Sequence, residues 1–381
     1  MNKCFITKLP SSVDNDNLPV LGQLRINWLK NSNLTNNNAR TISLVTKDSI
    51  TVKVSGAHFT DSTLTSNLGN TKTITADDFN VSLYVSNDSD AVLTIDNKYS
   101  LGSLSFGNGM GASIDFDIDD IKYCTNLSSL ILTKTQVNGD ISALSKLTNL
   151  INLYADDTNI SGDISALSKL TNLIGIVLNY TNISGDINAL TNCVNVTRIG
   201  FNNTNVNGDI SVLSKLTNLN NLSLNNTNVS GDINALSKLT NLNNLELNNT
   251  NVSGAVDSLA NLTKLPSLIG LKGISLTGDM SKIPANVRFI SQIGRKVNTN
   301  FTWTANGRKN ATFLGMDGGV PFDTASMDNM FIDQATCAVN PSGASYEKVI
   351  GVRGTRTSAS DAAVATIQNM GITISGVSKV S

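Results

Sequence analysis

The sequence contains very little histidine, charge and cysteine. One histidine, His58, occurs in 381 residues, so a Ser-His or Cys-His nucleophile pair has a single candidate base, and its β-rich setting favours a structural or surface role. Charged residues make up 15% and the formal net charge is -1, which provides no cationic field for nucleic acid. The four cysteines lack CxxC spacing, which argues against a metal knuckle or disulfide framework. We therefore expect no catalytic site and no cofactor.

Long apolar runs are also missing. No stretch of about 18 uninterrupted apolar residues occurs, so no membrane span is predicted. The opening MNKCFITKLP has an apolar run of only three residues, Cys4 to Ile6, which is too short for the hydrophobic region of a secretory signal. The sequence thus predicts a protein made in a cytoplasm without an N-terminal signal, which would need another route to act outside a cell.

An internal repeat dominates the middle of the chain. The segment GDISALSKLTNL occupies residues 139–150 and recurs unchanged at 162–173. Its glycine returns every 23 residues, with one final interval of 24, at Gly139, Gly162, Gly185, Gly208, Gly231, Gly254 and Gly278. A fixed period of this length indicates a stacked solenoid, because one unit cannot bury its apolar stripe without neighbours.

The unit reads L-x-x-L-x-L-x-x-T-N-V-x-G-D-I-x-x-L-x-x-L-T-N, most clearly at 219–241. It resembles the leucine-rich repeat family, with threonine in the Asn/Cys slot at Thr135, Thr158, Thr181, Thr204, Thr227 and Thr250. The resemblance implies a parallel strand at LxxLxL, and we expect each threonine hydroxyl to bond a backbone group in the turn that follows. Glycine permits the turn, and aspartate caps a short helical return. Cys124 and Cys193 occupy a leucine column, which predicts buried, unreactive thiols.

The flanks differ from the repeats. Residues 1–100 contain short alternating runs such as TISLVTKDSITVKVSG, which predict a small β-sandwich-like domain. Its polar opening segment, up to Arg25, is either an attachment arm or an edge strand with a loop. Residues 101–290 form the predicted solenoid. Residues 291–381 alternate strand-like and helical patterns, with helices expected in FDTASMDNMFIDQATC and SASDAAVATIQNMG. The predicted fold is an α/β solenoid whose C-terminal α/β cap continues the parallel sheet and covers the last coil.

Three segments raise weaker possibilities. GNGMGA at 107–112 has glycine spacing but no following Gly-Lys-Ser/Thr, so a turn is favoured over a nucleotide site. Arg353 and Arg356 precede a helix start, where an anion site competes with an ordinary strand-to-helix loop. The aspartates at 115–120 leave calcium binding open, although most of them follow the register of the repeat.

The remaining candidate is the outward-facing surface of the repeat strands. Its early coils carry the residues that we single out for partner binding, because tyrosine and arginine are enriched at interface hot spots: Tyr154, Asp156, Asp157, Val177, Tyr180 and Arg198. Later coils carry two rows of asparagine, headed by Asn202 and Asn203. That asparagine ladder is either solvated or available to a sugar. A paired carboxylate for a glycan-modifying enzyme is not assigned.

The opening MNKCFITKLP…LGQLRIN, the β-type head, the repeats and the ending RGTRTSASDAAVATIQNMG together resemble proteins encoded by Bacteroidales bacteria and their tailed, crAss-like phages. Similar chains serve as head or tail fibre components. The resemblance implies a virion structural protein, assembled in the host cytoplasm, anchored to a virion or other structural protein through its N-terminal domain and presenting the repeats to a host-surface glycan or protein. The alternative is a bacterial interaction protein or adhesin outside any virion. No heptads occur, so any homo-oligomer would form through the head or cap.

Overall fold

The computed structural model describes residues 23–28, 40–46, 50–55, 59–60, 68–75, 81–85, 91–96, 98–106, 114–266, 270–291, 301–308, 315–337 and 349–380. Most of the opening segment that was expected to end at Arg25 lies outside the described residues, and its described part, from Gln23, belongs to a β-strand, Gln23–Trp28. Cys4, His58 and the glycine-rich segment 107–112 also lie outside the described residues. Within the described part of the chain, no helix has the length and apolar character needed to cross a membrane.

The N-terminal region is built of short strands, as the alternating pattern predicts. These are β1 (Gln23–Trp28), β2 (Arg40–Thr46), β3 (Ile50–Ser55), β4 (Phe59–Thr60), β5 (Thr71–Ile74), β6 (Val81–Val85), β7 (Ala91–Asp96), β8 (Leu101–Phe106) and β9 (Ile114–Asp115). One sheet has the order β5-β3-β7-β1-β9, and its pairs are antiparallel. Strands β8, β2, β6 and β4 follow one another in a second sheet. Alternate side chains such as Val52 and Val54 are buried, which gives the region its sandwich-like core.

Strand β8 joins this region to the repeats. It pairs antiparallel with β2 and parallel with the first repeat strand, β10 (Ser129–Ile131). The second sheet of the N-terminal region, here called the head, therefore continues into the solenoid as one 10-stranded sheet. Because backbone hydrogen bonds cross the junction, the head is not tethered to the solenoid by a free linker between these strands.

Each coil contributes two short strands. The strands after β10 are β11 (Asn138–Asp140), β12 (Asn152–Tyr154), β13 (Asn159–Asp163), β14 (Gly175–Val177), β15 (Asn182–Asp186), β16 (Arg198–Gly200), β17 (Asn205–Asp209), β18 (Asn221–Ser223), β19 (Asn228–Asp232), β20 (Asn244–Glu246), β21 (Asn251–Ala255) and β22 (Ser275–Thr277). The even-numbered strands from β10 to β20 stack in parallel as part of the 10-stranded sheet. The odd-numbered strands from β11 to β21, together with β22, form a separate 7-stranded parallel sheet. The fold is a leucine-rich-repeat solenoid, as predicted.

The third side of each coil is a short 3-10 helix. These helices span Ile118–Ile121, Ile141–Leu144, Ile164–Leu167, Ile187–Leu190, Ile210–Lys215, Ile233–Leu236, Val256–Leu259 and Met280–Lys282. The preceding aspartate accepts a hydrogen bond from the backbone N–H two residues later, for example Asp209 from Ser211 at 2.7 Å, which satisfies a free helix-end donor. Ala255 replaces this aspartate once, and that helix has no side-chain cap.

The repeat glycines and threonines have the roles that the sequence predicts. Glycines from Gly139 to Gly278 in this column have φ between 101° and 121°, a region that L side chains rarely adopt. Thr227 is buried and donates its hydroxyl to the Leu224 carbonyl at 2.7 Å. The same bond recurs at 2.6 to 2.8 Å for Thr135, Thr158, Thr181, Thr204 and Thr250. Cys124 and Cys193 are buried in the leucine column as expected.

The C-terminal region continues the parallel order. It contains β23 (Phe289–Ser291), β24 (Gly315–Pro321), α1 (Thr324–Gln334), β25 (Val349–Arg356), α2 (Asp361–Asn369) and β26 (Thr373–Lys379), with short 3-10 helices elsewhere at Lys98–Ser100 and Ser358–Ser360. The strands pair in parallel in the order β23-β24-β25-β26. The predicted α/β cap is confirmed, although in the described residues its strands form a separate four-stranded sheet instead of continuing a coil sheet. Met327, Met330 and Phe331 of α1 are buried as the helical spacing predicts.

A buried polar cluster holds the cap to the last coils. The guanidinium of Arg308 donates to the carbonyls of Ile283, Pro284, Ala285 and Val287 at 2.7 to 3.3 Å. The carboxylate of Asp333, also buried, accepts from the Trp303 indole and the backbone N–H groups of Asn306 and Arg308. Burial lowers the pKa of Arg308 to about 10. Nothing in the sequence pattern predicts this cluster.

Candidate functional site

In the coils, the outer face of the 10-stranded sheet presents the side chains of the first and third residue of each strand. Parallel register places Asn152, Gly175 and Arg198 side by side in one column. It places Tyr154, Val177 and Gly200 in the other. The predicted residues Tyr154, Val177 and Arg198 therefore share one face across three consecutive coils.

Tyr154 lies over its neighbouring coil. A Cβ added at Gly175 would overlap the hydroxyl-bearing edge of the Tyr154 ring, so this glycine provides the space into which the ring leans. The Tyr154 hydroxyl donates to the side-chain oxygen of Asn152 at 3.3 Å. The Tyr154 side chain is half-buried. Gly200 makes similar room for Val177 and Asn179.

The two predicted aspartates have different surroundings. Asp156 is half-buried and accepts a hydrogen bond from the Thr133 hydroxyl of the preceding coil at 3.0 Å, so it helps to hold two coils together. Asp157 is exposed with φ of 56°. Arg198 is exposed, and within the described part of the chain no ion pair links it to either aspartate. The six predicted residues are thus not one charge-paired cluster.

Tyr180 occupies a left-handed backbone position. The same position in other coils is held by Lys134, Asp157, Asn203, Asn226 and Asn249, and φ is 55° to 58° throughout. Asparagine and aspartate tolerate this conformation better than other residues that carry a Cβ. Tyr180 is also 58% exposed. Its aromatic ring therefore has neither a favourable backbone nor extensive burial to explain it.

Sequence reasoning missed two exposed isoleucines. Ile151 and Ile174 are 37% and 41% exposed, and they lie at equivalent positions directly before β12 and β14. Later coils have Asn220 and Asn243 at this position. Comparing this column between coils would have revealed the change. We define the apolar patch as Ile151, Tyr154, Ile174, Val177 and Tyr180.

The asparagine ladder is partly structural. The side-chain oxygens of Asn179, Asn202 and Asn225 accept the backbone N–H of the equivalent residue in the next coil at 2.7 to 2.8 Å. The amides of Asn202 and Asn225 also donate to Glu246. This row therefore maintains the coil spacing. In the neighbouring row, Asn226 donates to Asn203 at 2.9 Å and Asn249 to Asn226 at 2.8 Å, and these side chains are exposed.

The aspartates at 115–120 have separate partners. Asp115 accepts from the Asn138 amide at 3.0 Å, Asp117 caps the following 3-10 helix, and Asp119 pairs with Lys122 at 2.7 Å. Burial raises the pKa of both Asp115 and Asp120. Within the described ranges, no three His, Cys, Asp or Glu side chains group as a metal site would require. Asp117 occupies the capping position that Asp140 holds in the next coil.

The arginine before α2 and two of the cysteines have structural roles. Arg356 contacts Asp361 at 2.6 Å and the Thr357 carbonyl at 3.0 Å at the start of α2, which fits an ordinary strand-to-helix loop. Burial raises the pKa of the Cys124 thiol to about 12 and that of the Cys193 thiol to about 11. Both thiols are therefore protonated and unreactive at neutral pH.

No protein-family model and no curated protein matches the chain. It is similar to the solved structure of an internalin, inlF, from Listeria monocytogenes, at 24% identity over 75% of this chain and 84% of the internalin, with a TM-score of 0.49. A second internalin of that organism, inlC2, matches at 26% identity over 47% of this chain and 82% of its own, with a TM-score of 0.35. The ectodomain of the plant receptor kinase GASSHO1/SCHENGEN3 from Arabidopsis thaliana, solved with CASPARIAN STRIP INTEGRITY FACTOR 2, matches at 18% identity over 68% of this chain, with a TM-score of 0.45. This chain spans 34% of that receptor chain.

Proposed function

We propose that this protein is a non-enzymatic binding module that presents the apolar patch to a protein on a cell surface. In this proposal it is a phage virion component, a head or tail fibre protein assembled in the host cytoplasm. The N-terminal region attaches to a virion or other structural protein, and the solenoid faces outward. The single observation that carries the binding role is Tyr180, an exposed tyrosine held in a left-handed conformation.

The argument from Tyr180 concerns the free energy of the fold. A left-handed conformation costs a residue with a Cβ about 1 to 2 kcal/mol, and the same position in the later coils has Asn203, Asn226 and Asn249. An exposed ring recovers little of this cost by burial. The left-handed conformation belongs to the repeat, because it recurs in the equivalent residue of the other coils, but the tyrosine does not. A partner that buries the Tyr180 ring explains the choice of this residue.

The other residues of the apolar patch also support a binding role. Ile151 and Ile174 expose branched aliphatic side chains beside each other, whereas Asn220 and Asn243 take their place three coils later. Aliphatic side chains gain free energy when a partner covers them, at about 25 cal/mol per Å² of apolar surface removed from water. Aromatic anchors such as Tyr154 and Tyr180 are the residue type that dominates many protein interfaces. A protein partner therefore fits this patch.

A glycan is the second candidate ligand. Tyr154 lies over Gly175 and is half-buried, and the exposed part of an aromatic ring offers an apolar surface to a sugar. The exposed amides of Asn203, Asn226 and Asn249 offer donors and acceptors nearby along the solenoid. The row containing Asn202 and Asn225 is less suited, since its side chains already bridge coils.

The junction at β8 supports the anchoring part of the proposal. Continuous backbone pairing from β2 through β8 to β10 joins the head to the solenoid through a sheet. A head bound to another protein would then hold the apolar patch in a fixed orientation. The virion setting itself rests on the resemblance in overall layout to phage proteins.

Binding of fluorescently labelled full-length protein to intact Bacteroidales cells tests the surface contact. We expect wild-type protein to bind, and Tyr154→Ala/Tyr180→Ala to lose at least about tenfold in affinity. Lys169→Ala/Lys238→Ala removes two exposed side chains outside the apolar patch and the asparagine rows; it is the matched control and should bind normally. Protease treatment of the cells should remove binding if the ligand is protein, and periodate treatment if it is glycan. Equal binding by wild type and the tyrosine variant would refute the role of the patch.

The virion assignment needs a separate measurement. Mass spectrometry of purified phage particles from a host that produces this protein should detect it at a stoichiometry typical of a structural component. Its absence from particles, together with retained cell binding, would instead support the alternative of a bacterial adhesin or interaction protein.

A further inference from the structure

Two charged residues lie in the outward columns of strands β10 to β20, and their surroundings differ. Glu246 on β20 is half-buried, and its carboxylate accepts hydrogen bonds from the side-chain amides of Asn202, Asn225 and Asn244 at 2.8 to 3.4 Å. Arg198 on β16 is exposed, and within the described part of the chain its guanidinium has no hydrogen bond or ion pair. The fold thus satisfies the acid of this face and leaves the base to solvent.

Asn179 provides a second donor on the same face. Its side-chain oxygen accepts a hydrogen bond from the backbone N–H of Asn202 at 2.7 Å, so the other side-chain atom, Nδ2, is the donor. In the described residues Nδ2 has no acceptor, and it is not sealed from solvent. The amides of Asn202 and Asn225 in the same row donate instead to Glu246. Asn179 therefore has a donor available to a ligand.

Gly200 separates these two donors and places no side chain between them. It follows Arg198 by two residues in β16, about 7 Å along the strand, and a Cβ at Gly200 would lie 3.1 Å from Nδ2 of Asn179 and 3.2 Å from Val177. The glycine backbone is itself buried by its neighbours. A ligand oxygen resting above it would therefore contact the surrounding side chains, within hydrogen-bonding reach of Nδ2, and an extended arginine side chain is long enough to reach it from the other side. We call Asn179, Arg198 and Gly200 the anion subsite.

The donors of the anion subsite match a carboxylate. A guanidinium presents parallel N–H groups to two oxygens, and charge-assisted bonds of this kind are stronger than neutral ones. The amide of Asn179 can donate to one of the same oxygens. The subsite also adjoins the apolar patch, because Val177 borders Gly200 and Tyr180 follows Asn179 in the chain. A partner that covers the patch would exclude water from the subsite, which strengthens the bonds to its carboxylate.

We propose that the anion subsite binds the carboxylate of an aspartate or glutamate side chain on a protein partner, while apolar side chains of that partner cover the apolar patch. This inference rests on the proposed function, since the same partner occupies both. A protein supplies both kinds of group, whereas an acidic glycan has no aliphatic counterpart for the exposed Ile151 and Ile174. Arg198 would then also select between partners, because a lysine or arginine placed opposite it would be repelled.

NMR with propionate, a simple carboxylate, tests the subsite without any partner. In full-length protein with isotope-labelled asparagine, the side-chain amide signal of Asn179, assigned by its loss in Asn179→Ser, should shift with propionate and saturate in the millimolar range. The uncharged analogue propionamide should not shift it. Arg198→Ala should abolish the shift, and Arg353→Ala, which removes an exposed arginine of β25, should retain it. No shift in wild type, or an equal shift with propionamide, would overturn the proposal.

Binding to intact Bacteroidales cells tests whether the partner uses the subsite. Arg198→Ala should lose at least about tenfold in affinity, and Arg198→Lys should recover only part of it, because lysine keeps the charge but not the paired N–H groups. Arg353→Ala should bind normally. Conversion of cell-surface carboxylates to amides, with a carbodiimide and ethanolamine, should lower wild-type affinity to about that of Arg198→Ala and leave Arg198→Ala nearly unchanged. Equal affinities of wild type and Arg198→Ala would contradict the proposal.

The two measurements distinguish failure of this inference from failure of the proposed function. If wild type bound no cells but responded to propionate, the cell-surface role would fail and the anion subsite would stand. If Tyr154→Ala/Tyr180→Ala lost cell binding while Arg198→Ala kept it, the apolar patch would stand and the anion subsite would fail. Protease treatment of the cells should remove the affinity that depends on Arg198, and its removal by periodate instead would refute a protein as the source of the carboxylate.

Discussion

The coils and the cap stabilise their parallel sheets in different ways. In the coils, each polar contact is small and recurs: Thr227 bonds one carbonyl and Asp209 caps one short helix, and neighbouring coils repeat both bonds. In the cap, Arg308 alone bonds four carbonyls, and Asp333 accepts from three donors. Repetition spreads stability over many equivalent contacts, whereas the cap depends on a few residues that have no substitute.

The largest effect should come from removing Arg308. Arg308→Leu leaves the buried carbonyls from Ile283 to Val287 without this donor, and we expect the cap to lose about 3 to 5 kcal/mol. Because solenoid units unfold partly independently, hydrogen exchange should accelerate in α1 and β25 more than in β12 to β18.

The control for this variant is Arg353→Leu, which removes an exposed arginine from β25 and should change stability by less than about 0.5 kcal/mol. A similar loss in both variants, or equal acceleration of exchange in coils and cap, would mean that stability is not concentrated at Arg308.

A glycine in the coil column should have the next largest effect. At Gly231, φ is 113° and an added Cβ would overlap the cap oxygen of Asp209 in the preceding coil. Gly231→Ala therefore combines backbone strain with loss of a cap, and we expect a loss of about 2 to 3 kcal/mol, measured by urea denaturation.

Two further variants separate the causes. Gly371→Ala places a Cβ at φ of 77° with nothing within 4 Å, so it should show the strain alone, about 1 kcal/mol. In Gly231→Ala/Asp209→Ala the overlap is relieved. The double variant should therefore lose less stability than the sum of the losses of the two single variants. Strict additivity would show that the contact between coils is not the cause.

Acid should affect the cap through Asp328. Burial opposes ionisation of this carboxyl, but the hydroxyls of Ser360 and Thr357 and the Thr357 N–H donate to it and together hold its pKa below the ordinary value. A pKa that is lower in the folded state gives stability above the unfolded value, about 3.9, and that stability is lost as pH falls through the folded pKa. The cap of Asp328→Asn should lose less stability than wild type between pH 5 and pH 3 in thermal melts. Parallel melting curves would contradict this.

Much of the solenoid could be predicted because each role recurs at a fixed spacing. Leucine columns, the glycine turn, the aspartate cap and the threonine bond are each seen several times in the sequence, so one argument covers all copies. The Arg308 and Asp333 cluster could not be predicted, because it joins residues 283 to 333 once and follows no period. The inter-coil role of Asn202 was also hidden, since an asparagine that bridges coils and one that is solvated look alike in sequence.

The candidate site was predicted only in part. Tyr154, Val177 and Arg198 share a face, as the repeat register requires, whereas Asp156 turned out to bond Thr133 of the neighbouring coil. Ile151 and Ile174 precede the strands, where the sequence alone does not say how much of a side chain remains exposed. Whether these residues contact a partner stays a prediction.

The smallest expected change in stability is also the most informative about function. Tyr180→Asn places a residue that tolerates the left-handed conformation at φ of 55°. We expect the variant to be as stable as wild type or more stable by up to about 1 kcal/mol, by urea denaturation, while binding to cells is lost. A gain in stability with a loss of binding would identify Tyr180 as a residue kept for its partner.

The reciprocal variant, Asn226→Tyr, completes this comparison, because it places a tyrosine in the same left-handed position of an asparagine-rich coil. It should lose about 1 kcal/mol without any gain in binding to cells, since the isoleucines and Tyr154 are absent there. If the double variant Tyr180→Asn/Asn226→Tyr bound cells as well as wild type does, one exposed ring in any coil would suffice and the apolar patch would not be the site. If Tyr180→Asn were clearly destabilised, the Tyr180 ring would contribute to the fold, and its strained backbone would no longer argue for a partner.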